Sequence, residues 1–525
     1  MTRKFPDVKM RTSPPLAILT ALLLAPSAKI HAANQPPFNP NIVLILADDL
    51  GFGDTGCYGG TKIPTPNIDR LAKQGLRFTD VHATSATCTP SRYALLTGQY
   101  PWRKAGTGIL PGNAALIIDP QHATLPSILK KAGYQTGIVG KWHLGLGGRG
   151  GPDWNGDIKP GPLEVGFDYA FVQPSTSDRV PCVYIENRRV VGLDPQDPIQ
   201  VSYGKPIGNE PTGRNHPELL KLGLSQGHEG TIIDGISRIG FMTGGRAARW
   251  KDEDKADVLT QKALEFIRQN QRRPFFLEFA THDPHVPRVP NARFVGRSGC
   301  GVRGDVIVQF DWCVGQVLVT LEKLNLSSNT VVILSSDNGP VLDDGYDDRA
   351  VEDLNGHRPA GPWRGGKYST YEGGTRVPFI LSWPGRVPTG VSGALVSHVD
   401  FCASFAALTG QTIPDGDAPD SRNVLSALLG DSKTGRPTLV EHDGFDILAF
   451  RDGLWKFIEP DLRIRRNPKP DRSYSPAGEL YDLGRDLGET NNLNSLNPGM
   501  SKKVAGELDA EQRLGRAAGQ KFHLE

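Results

Sequence analysis

Charged and ligating side chains recur just after short apolar runs. Asn41–Ala47 (NIVLILA) is followed by Asp48 and Asp49. Thr136–Gly140 (TGIVG) leads to Lys141 and His143, and Pro274–Thr281 (PFFLEFAT) to His282 and His285. Thr330–Ser336 (TVVILSS) leads to Asp337 and Asn338. One Asp pair in such a place also reads as a turn or a helix cap. Four such ends in one chain point to a site. Asp48, Asp49, Asp337 and Asn338 offer only oxygens, which suits Ca²⁺ or Mg²⁺ better than zinc. Carboxylates brought this close repel one another without a cation between them. Arg92, Lys141, His143, His285 and Lys367 would supply positive charge opposite, a set that suits an anionic group such as sulfate or phosphate.

A second segment, Cys88-Thr89-Pro90-Ser91-Arg92, runs on into Ala94-Leu95-Leu96-Thr97-Gly98. Pro90 fits the first turn of a helix. Cys88 then stands at the helix amino end, where N–H groups and the dipole favour an anion. The same segment also reads as a buried cysteine capping a helix.

The elements that must hold these groups alternate. Helical spacing covers Thr65–Gly75, Thr124–Ala132, Lys255–Asn270 and Val302–Leu324, between the four runs above and a further strand at Phe379–Ser382. Such alternation predicts an α/β fold with a large, mainly parallel sheet sandwiched by helices. In open α/β sheets ligands bind beyond the carboxyl ends of the strands, where the candidate groups fall. Gly147–Arg249 is rich in Gly, Pro and polar residues and predicts a loop-rich insertion of loops and short strands, a natural place for substrate contacts. From about residue 431 short alternating pieces (Ile447–Phe450, Trp455–Ile458, Glu479–Leu483) predict a smaller antiparallel sheet with a helix near 500–515. The catalytic domain then spans 34–430 and the C-terminal subdomain 431–525. Arg463–Arg472 is basic but broken by prolines, and reads as a solvated loop.

Residues 1–33 read as an export signal, with a positive start (Arg3, Lys4, Lys9, Arg11) and an apolar run Pro15–Pro26 too short to span a bilayer. Ala25-Pro26-Ser27 and Ala32-Ala33 offer cleavage sites. No other stretch reaches about 18 apolar residues, so the expectation is a periplasmic or secreted protein with no membrane span in its mature chain. The 525 residues carry 59 Lys+Arg against 57 Asp+Glu, a net +2. The first 33 residues hold five Lys/Arg and one Asp, so their removal leaves −2. That balance argues against nucleic acid as a partner. Six cysteines are too few for a disulfide-built fold of this length.

The sequence resembles the type I sulfatases, the arylsulfatase-like branch of the alkaline phosphatase superfamily. CTPSRYALLTGQYPWR is similar to that family's C-x-P-S-R element. NIVLILADDLGFGDTGCYG, GKWHLG, THDPHVP, SSDNG and WRGGKYSTYEGGTRVP match in the family's order over roughly residues 40–385, with a weaker echo at 479–493. The resemblance implies an alkaline phosphatase-like fold. It also implies that a maturation enzyme oxidises Cys88 to Cα-formylglycine, whose hydrate is the nucleophile. One hydroxyl attacks sulfur, and the other later expels sulfate. Asp48, Asp49, Asp337 and Asn338 become Ca²⁺ ligands, with position 88 completing the shell. Asp337 also helps deprotonate the attacking hydroxyl. Arg92 and Lys141 hold the hydrate, and His143 takes the second hydroxyl's proton. His285 and Lys367 hold sulfate and protonate the leaving oxygen, while His282 is structural. Loss of the thiol at position 88 leaves five cysteines, so at least one stays free.

Thr176-Ser177-Asp178-Arg179-Val180-Pro181 resembles bacterial sulfatases acting on sulfated galactose or N-acetylgalactosamine in glycans. Asp178 and Arg179 would grip a sugar hydroxyl, Asp accepting and Arg donating; a local salt bridge is the plainer reading. His228, Asp344 and His357 are further rim candidates. Two other functions stay open. A phosphate mono- or diesterase of the superfamily would need a Ser or Thr nucleophile and, as a rule, two zinc sites. An inactive fold that only binds sulfated glycan would keep Cys88 unconverted.

Overall fold

The apolar run Asn41–Ala47 forms β1, and all seven of its residues are buried. A strand hidden on both faces belongs at the centre of a covered parallel sheet. Nine strands join it in one sheet: β2 (Leu76–Phe78), β3 (Gln135–Lys141), β4 (Tyr169–Gln173), β5 (Ile185–Glu186), β6 (Arg189–Val190), β7 (Phe275–Ala280), β8 (Thr330–Ser336), β9 (Phe379–Ser382) and β10 (Gly390–Ser392). Their order across the sheet is β10-β2-β9-β8-β1-β7-β3-β4-β5-β6. The five central strands from β8 to β4 run parallel. The structure is a computed structural model that describes residues 39–463 and 470–517, together with Met1, Thr2, Lys4 and Asp7. The expected export signal lies outside the described residues apart from those four, and so does most of Arg463–Arg472.

Register sets the site. Ala47 pairs with Ser336, Leu46 with Ala280, Ala280 with Gly140, and Lys141 with Gln173. The carboxyl ends of β1, β3, β7 and β8 are therefore level, and the residues just after these strands emerge on one edge.

Seven helices matter here: α1 (Pro66–Lys73), α2 (Cys88–Thr97), α3 (Leu125–Lys131), α4 (Lys255–Asn270), α5 (Gly301–Lys323), α6 (Phe401–Thr409) and α7 (Pro498–Ala517). α1 and α4 pack on α5, while α2, α3 and α6 pack on one another. α4 buries Leu259, Ala263, Phe266, Ile267 and Asn270, one stripe at helical spacing. Phe266 sits so close to β3 that a Cβ on Gly137 would lie 2.5 Å from its ring. α3 starts where Thr124 accepts a hydrogen bond from the Ser127 N–H, with Pro126 in its first turn. Among the described residues α5 alone is long and apolar enough to cross a membrane, and here it is a core helix, mostly buried.

Three short strands of the segment 147–249 join the main sheet. Tyr169–Gln173 within it is β4, a strand of the main sheet parallel to β3. Four of its five residues are buried, which is why it belongs there rather than in a surface loop. β5 and β6 follow it antiparallel at the edge of the sheet, and the rest of the segment is short hairpins, helical turns and loops. The smaller antiparallel sheet also forms, from β11 (Thr438–His442), β12 (Leu448–Asp452), β13 (Trp455–Ile458) and β14 (Glu479–Asp482), in that order. α7 lies on it, burying Val504 and Leu508 with Phe450, Phe457 and Leu480. All six cysteines are free thiols.

Candidate active site

Cys88 is the first residue of α2 and is buried. Its Sγ lies 3.2 Å from Nδ1 of His143, delivered by the turn after β3. The other ring nitrogen, Nε2, lies 2.9 Å from the Leu110 carbonyl, which can only accept. Nε2 therefore carries the proton and Nδ1 presents a lone pair to position 88. Burial, with Lys141 and Arg179 nearby, holds His143 well below the usual histidine range, so the ring stays neutral. Burial likewise pushes the Cys88 thiol up.

Beside Cys88 the oxygen donors converge. Asp337 follows β8 and takes Arg92 Nε at 2.9 Å and Nη2 at 2.8 Å on Oδ2. Arg92 Nη1 reaches the Lys141 carbonyl at 3.2 Å. Lys141 Nζ lies 2.7 Å from Asp48 Oδ2 and 3.8 Å from Asp337 Oδ2. Asn338 Nδ2 donates to Asp49 Oδ1 at 2.7 Å, which turns its amide oxygen the other way. That oxygen and Asp48 Oδ1 are both buried with no hydrogen-bond partner. Orphaned buried acceptors are costly, and two of them in one oxygen-rich cluster fit a hard cation. Burial, with Asp337 and Asp49 alongside, pushes Asp48 up to about 8, although Lys141 and Arg92 pull it down. A cation there would keep it ionised.

Lys367 and His285 complete the pocket floor. Lys367 Nζ sits 2.8 Å from Asp49 Oδ2 and 2.9 Å from Asp344 Oδ2. Burial works against its charge, but Asp344 and Asp49 outweigh that and hold it well above the usual lysine range. His285 donates Nδ1–H to the Val286 carbonyl at 2.7 Å, leaving Nε2 3.8 Å from Asp49 Oδ2. Asp48, Asp49, Asp337 and Asp344 face Arg92, Lys141 and Lys367, four negative charges against three positive. A divalent cation would turn that −1 into +1, the sign an anionic ester needs.

The expected substrate pair lies on the pocket wall. Arg179 Nη1 meets Asp178 at 3.0 and 3.2 Å, so the local salt bridge exists. It is not isolated, because the cavity of about 410 Å³ that Asp178 and Arg179 line also reaches Cys88, His285 and Lys367. His228 joins them: its Nε2 lies 2.9 Å from Asp178 Oδ2 and its Nδ1 3.1 Å from the Gln226 carbonyl. Both partners accept only, so both nitrogens carry protons and His228 is an imidazolium. Burial opposes that charge, but Asp178 raises its pKa above the usual histidine value. Gly345 leaves room for the ring, since a Cβ there would lie 1.9 Å from it, and the Tyr346 ring packs against it, tilted by 51° with centroids 4.6 Å apart. Asp49, His143, His228 and Tyr368 hold left-handed φ angles of 66°, 53°, 58° and 74°. Strain of about 1–3 kcal/mol each is common where geometry serves function.

The other candidates separate. His228 and Asp344 line the cavity, whereas His357 does not; it bonds Asp54 at 2.8 Å in a buried cluster with Arg303. His282 is buried 3.4 Å from Asp283, away from the cavity lining. Tyr368, whose hydroxyl lies 3.1 Å from Asp344, had no separate signal beyond its place after Lys367.

The sulfatase family model matches residues 40–411. The N-acetylgalactosamine-6-O-sulfatase of Bacteroides thetaiotaomicron is 53% identical over 499 residues, covering 94% of this chain and 98% of that protein. Human arylsulfatase A is 32% identical, covering 94% and 90%. A solved structure described under the metabolism of multiple glycosaminoglycans by Bacteroides thetaiotaomicron superposes with a TM-score of 0.89 at 53% identity, covering 91% of this chain and all of that one.

Proposed function

We propose that this chain, which belongs to the sulfatase family and is a sulfuric ester hydrolase, removes sulfate from the 6-position of N-acetylgalactosamine units in a glycan. One observation carries the reading: a single cavity joins Cys88, His285 and Lys367 at its floor to Asp178, Arg179 and His228 on its wall. The floor suits a sulfate group and the wall a sugar hydroxyl. The substrate follows the N-acetylgalactosamine-6-O-sulfatase that shares 53% of its residues.

A formylglycine-generating maturation enzyme, drawing on an external two-electron oxidant, oxidises the Cys88 side chain to the aldehyde with its sulfur released as sulfide, and water adds to give two hydroxyls. Asp48, Asp49, Asp337 and Asn338 would hold one Ca²⁺ together with position 88. When bound, Ca²⁺ offsets carboxylate charge and polarises the sulfate oxygens. Asp337 takes the proton of the first hydroxyl as its oxygen attacks sulfur. Arg92 keeps Asp337 in place from the far side, and Lys141 steadies the hydrate. The bond between sulfur and the sugar oxygen breaks, and the Lys367 ammonium, with His285 beside it, returns a proton to that oxygen. Sulfate is now an ester of the residue at 88. His143 Nδ1 then takes the second hydroxyl's proton, the C=O re-forms, and the C–O bond to sulfate breaks. The Leu110 carbonyl fixes the tautomer this needs. Asp178 accepts from a sugar hydroxyl while Arg179 donates, and His228 holds Asp178 in place through Nε2.

The protein is exported, periplasmic or secreted, on the strength of residues 1–33. The first residue of the protein recovered outside the cytoplasm, found beyond Ala25 or Ala33, would support this; an intact Met1 would oppose it. Sulfate release from 6-, 4- and 2-sulfated sugars tests the activity. Preference for 6-sulfated N-acetylgalactosamine is expected. Turnover of the 4- or 2-sulfated sugars instead, or release of phosphate rather than sulfate, would overturn the reading.

A further inference from the structure

A second cavity, about 450 Å³, adjoins the first one. The two share Gly227, His228 and Ile239 in their walls. Both fall in the range of roughly 300–1,000 Å³ that holds small ligands. On its far side the second cavity is lined by Thr212, Arg214, Asn215 and Phe241, none of which the proposed chemistry uses. Phe241 opens a short strand whose middle residue, Met242, is buried while Phe241 is only half-buried. Side chains alternate along a strand, so the Phe241 ring is on the outer face, toward the cavity. Arg214 is exposed and pairs with Glu229, which places a donor fork and an acceptor pair on one rim.

An apolar ring face beside paired donors and acceptors is the chemistry that grips a pyranose: C–H groups pack on the ring, and hydroxyls bond the charged pair. The shared wall includes His228, the imidazolium that touches Asp178 of the first cavity. A sugar bonded to the sulfated unit would therefore pass over His228 into the second cavity. We propose that Arg214, Phe241 and the loop around Thr212–Asn215 form a subsite for the next sugar ring of the glycan, so that the enzyme prefers an oligosaccharide to a monosaccharide. This rests on the substrate reading above.

The test compares kcat/KM on free 6-sulfated N-acetylgalactosamine with two disaccharides that carry this unit at either end. The wild-type enzyme should turn over one disaccharide about tenfold or more faster than the monosaccharide, as about 1.4 kcal/mol of added contact would give. Phe241→Ala and Arg214→Ala should erase that advantage and leave the monosaccharide rate unchanged, which also shows that the variants fold. Equal rates on all three compounds, or equal losses on monosaccharide and disaccharide, would overturn the subsite alone. Wild-type inactivity on all three would overturn both the subsite and the substrate reading.

Discussion

The His143 imidazole faces Cys88 through Nδ1 at 3.2 Å, while its Nε2 is tied to the Leu110 carbonyl at 2.9 Å. A base whose tautomer is set by a backbone carbonyl cannot turn round to serve another atom. It can only receive a proton from position 88. In the proposed mechanism that restricts His143 to the step in which the second hydroxyl gives up its proton and sulfate leaves.

Replacing His143 by Ala should therefore stall the second half of the reaction rather than the first. A general base is worth about 10²–10⁴-fold, so kcat should fall by that range. A first burst of desulfated sugar should persist, and intact mass should show sulfate retained on the peptide that holds position 88. A rate loss with no burst and no retained sulfate would assign His143 to the attack instead.

Removing the cation should cost both activity and stability. Asp48 Oδ1 and Asn338 Oδ1 are buried and unpartnered, so chelation leaves them orphaned beside Asp49 and Asp337. Ca²⁺ at 100 times its Kd would add about 2.7 kcal/mol of stability. Melting curves with chelator, and then with calcium restored, should show a reversible drop in Tm. Asn338→Ala should raise the calcium concentration needed for half-maximal activity. A Tm indifferent to chelator and calcium would count against the site.

The pH dependence on the alkaline side should trace to His228. Its charge is set by Asp178 and by the Gln226 carbonyl, with Asp344 further off, Arg179 opposing through the shared Asp178, and Tyr346 against the ring. Its pKa is raised on folding, so its contribution is complete below about 6.5, the unfolded value, and is lost as pH rises through the folded value. Asp178, held well below the usual carboxylate range, loses its part only in strong acid. The stability gap between the wild-type protein and His228→Gln should accordingly shrink above about pH 6.5. A gap that widens with pH would contradict a protonated His228.

Much of this arrangement is legible in the order of residues, and the reason is local. β1 and β8 are buried on both faces, so they read as unbroken apolar runs, and the ligating residues stand directly after them. β4 escaped because its five residues lie among Gly and Pro. The strands β10, at one edge of the sheet, and β2 beside it are three residues each, too short to show alternation. The pocket wall was harder still. His228 meets Asp178 from 50 residues away, and Asp344 meets Lys367 from 23. Contacts of that span leave no period in the sequence. Only the fold brings them together.

The small sheet should be fastened to the large one by Lys456. Its Nζ is fully buried, 2.8 Å from Glu372, 3.1 Å from Glu441 and 3.4 Å from Glu489. Glu372 opens the short helix just after Lys367 and Tyr368, and it also holds Arg376. Burial pushes Glu489 up to about 8, with Glu372 and Glu441 adding to it against Lys456. One of the three carboxyls is thus already close to carrying a proton. Lys456→Met keeps the volume but removes the cation the three carboxylates share, while Arg376 and Arg451 stay on Glu372 and His82 stays beside Glu441. Breaking a buried ion pair from one side costs about 3–5 kcal/mol, a large part of the roughly 5–15 kcal/mol that holds a protein folded. The denaturant midpoint should fall accordingly. Adding Glu489→Gln to Lys456→Met should recover part of the loss, because it removes a surplus carboxylate while keeping an amide oxygen toward the Glu372 N–H, which Glu489 accepts at 2.6 Å. If the double variant were as unstable as the sum of the two single ones, the three carboxylates would not be acting on one cation.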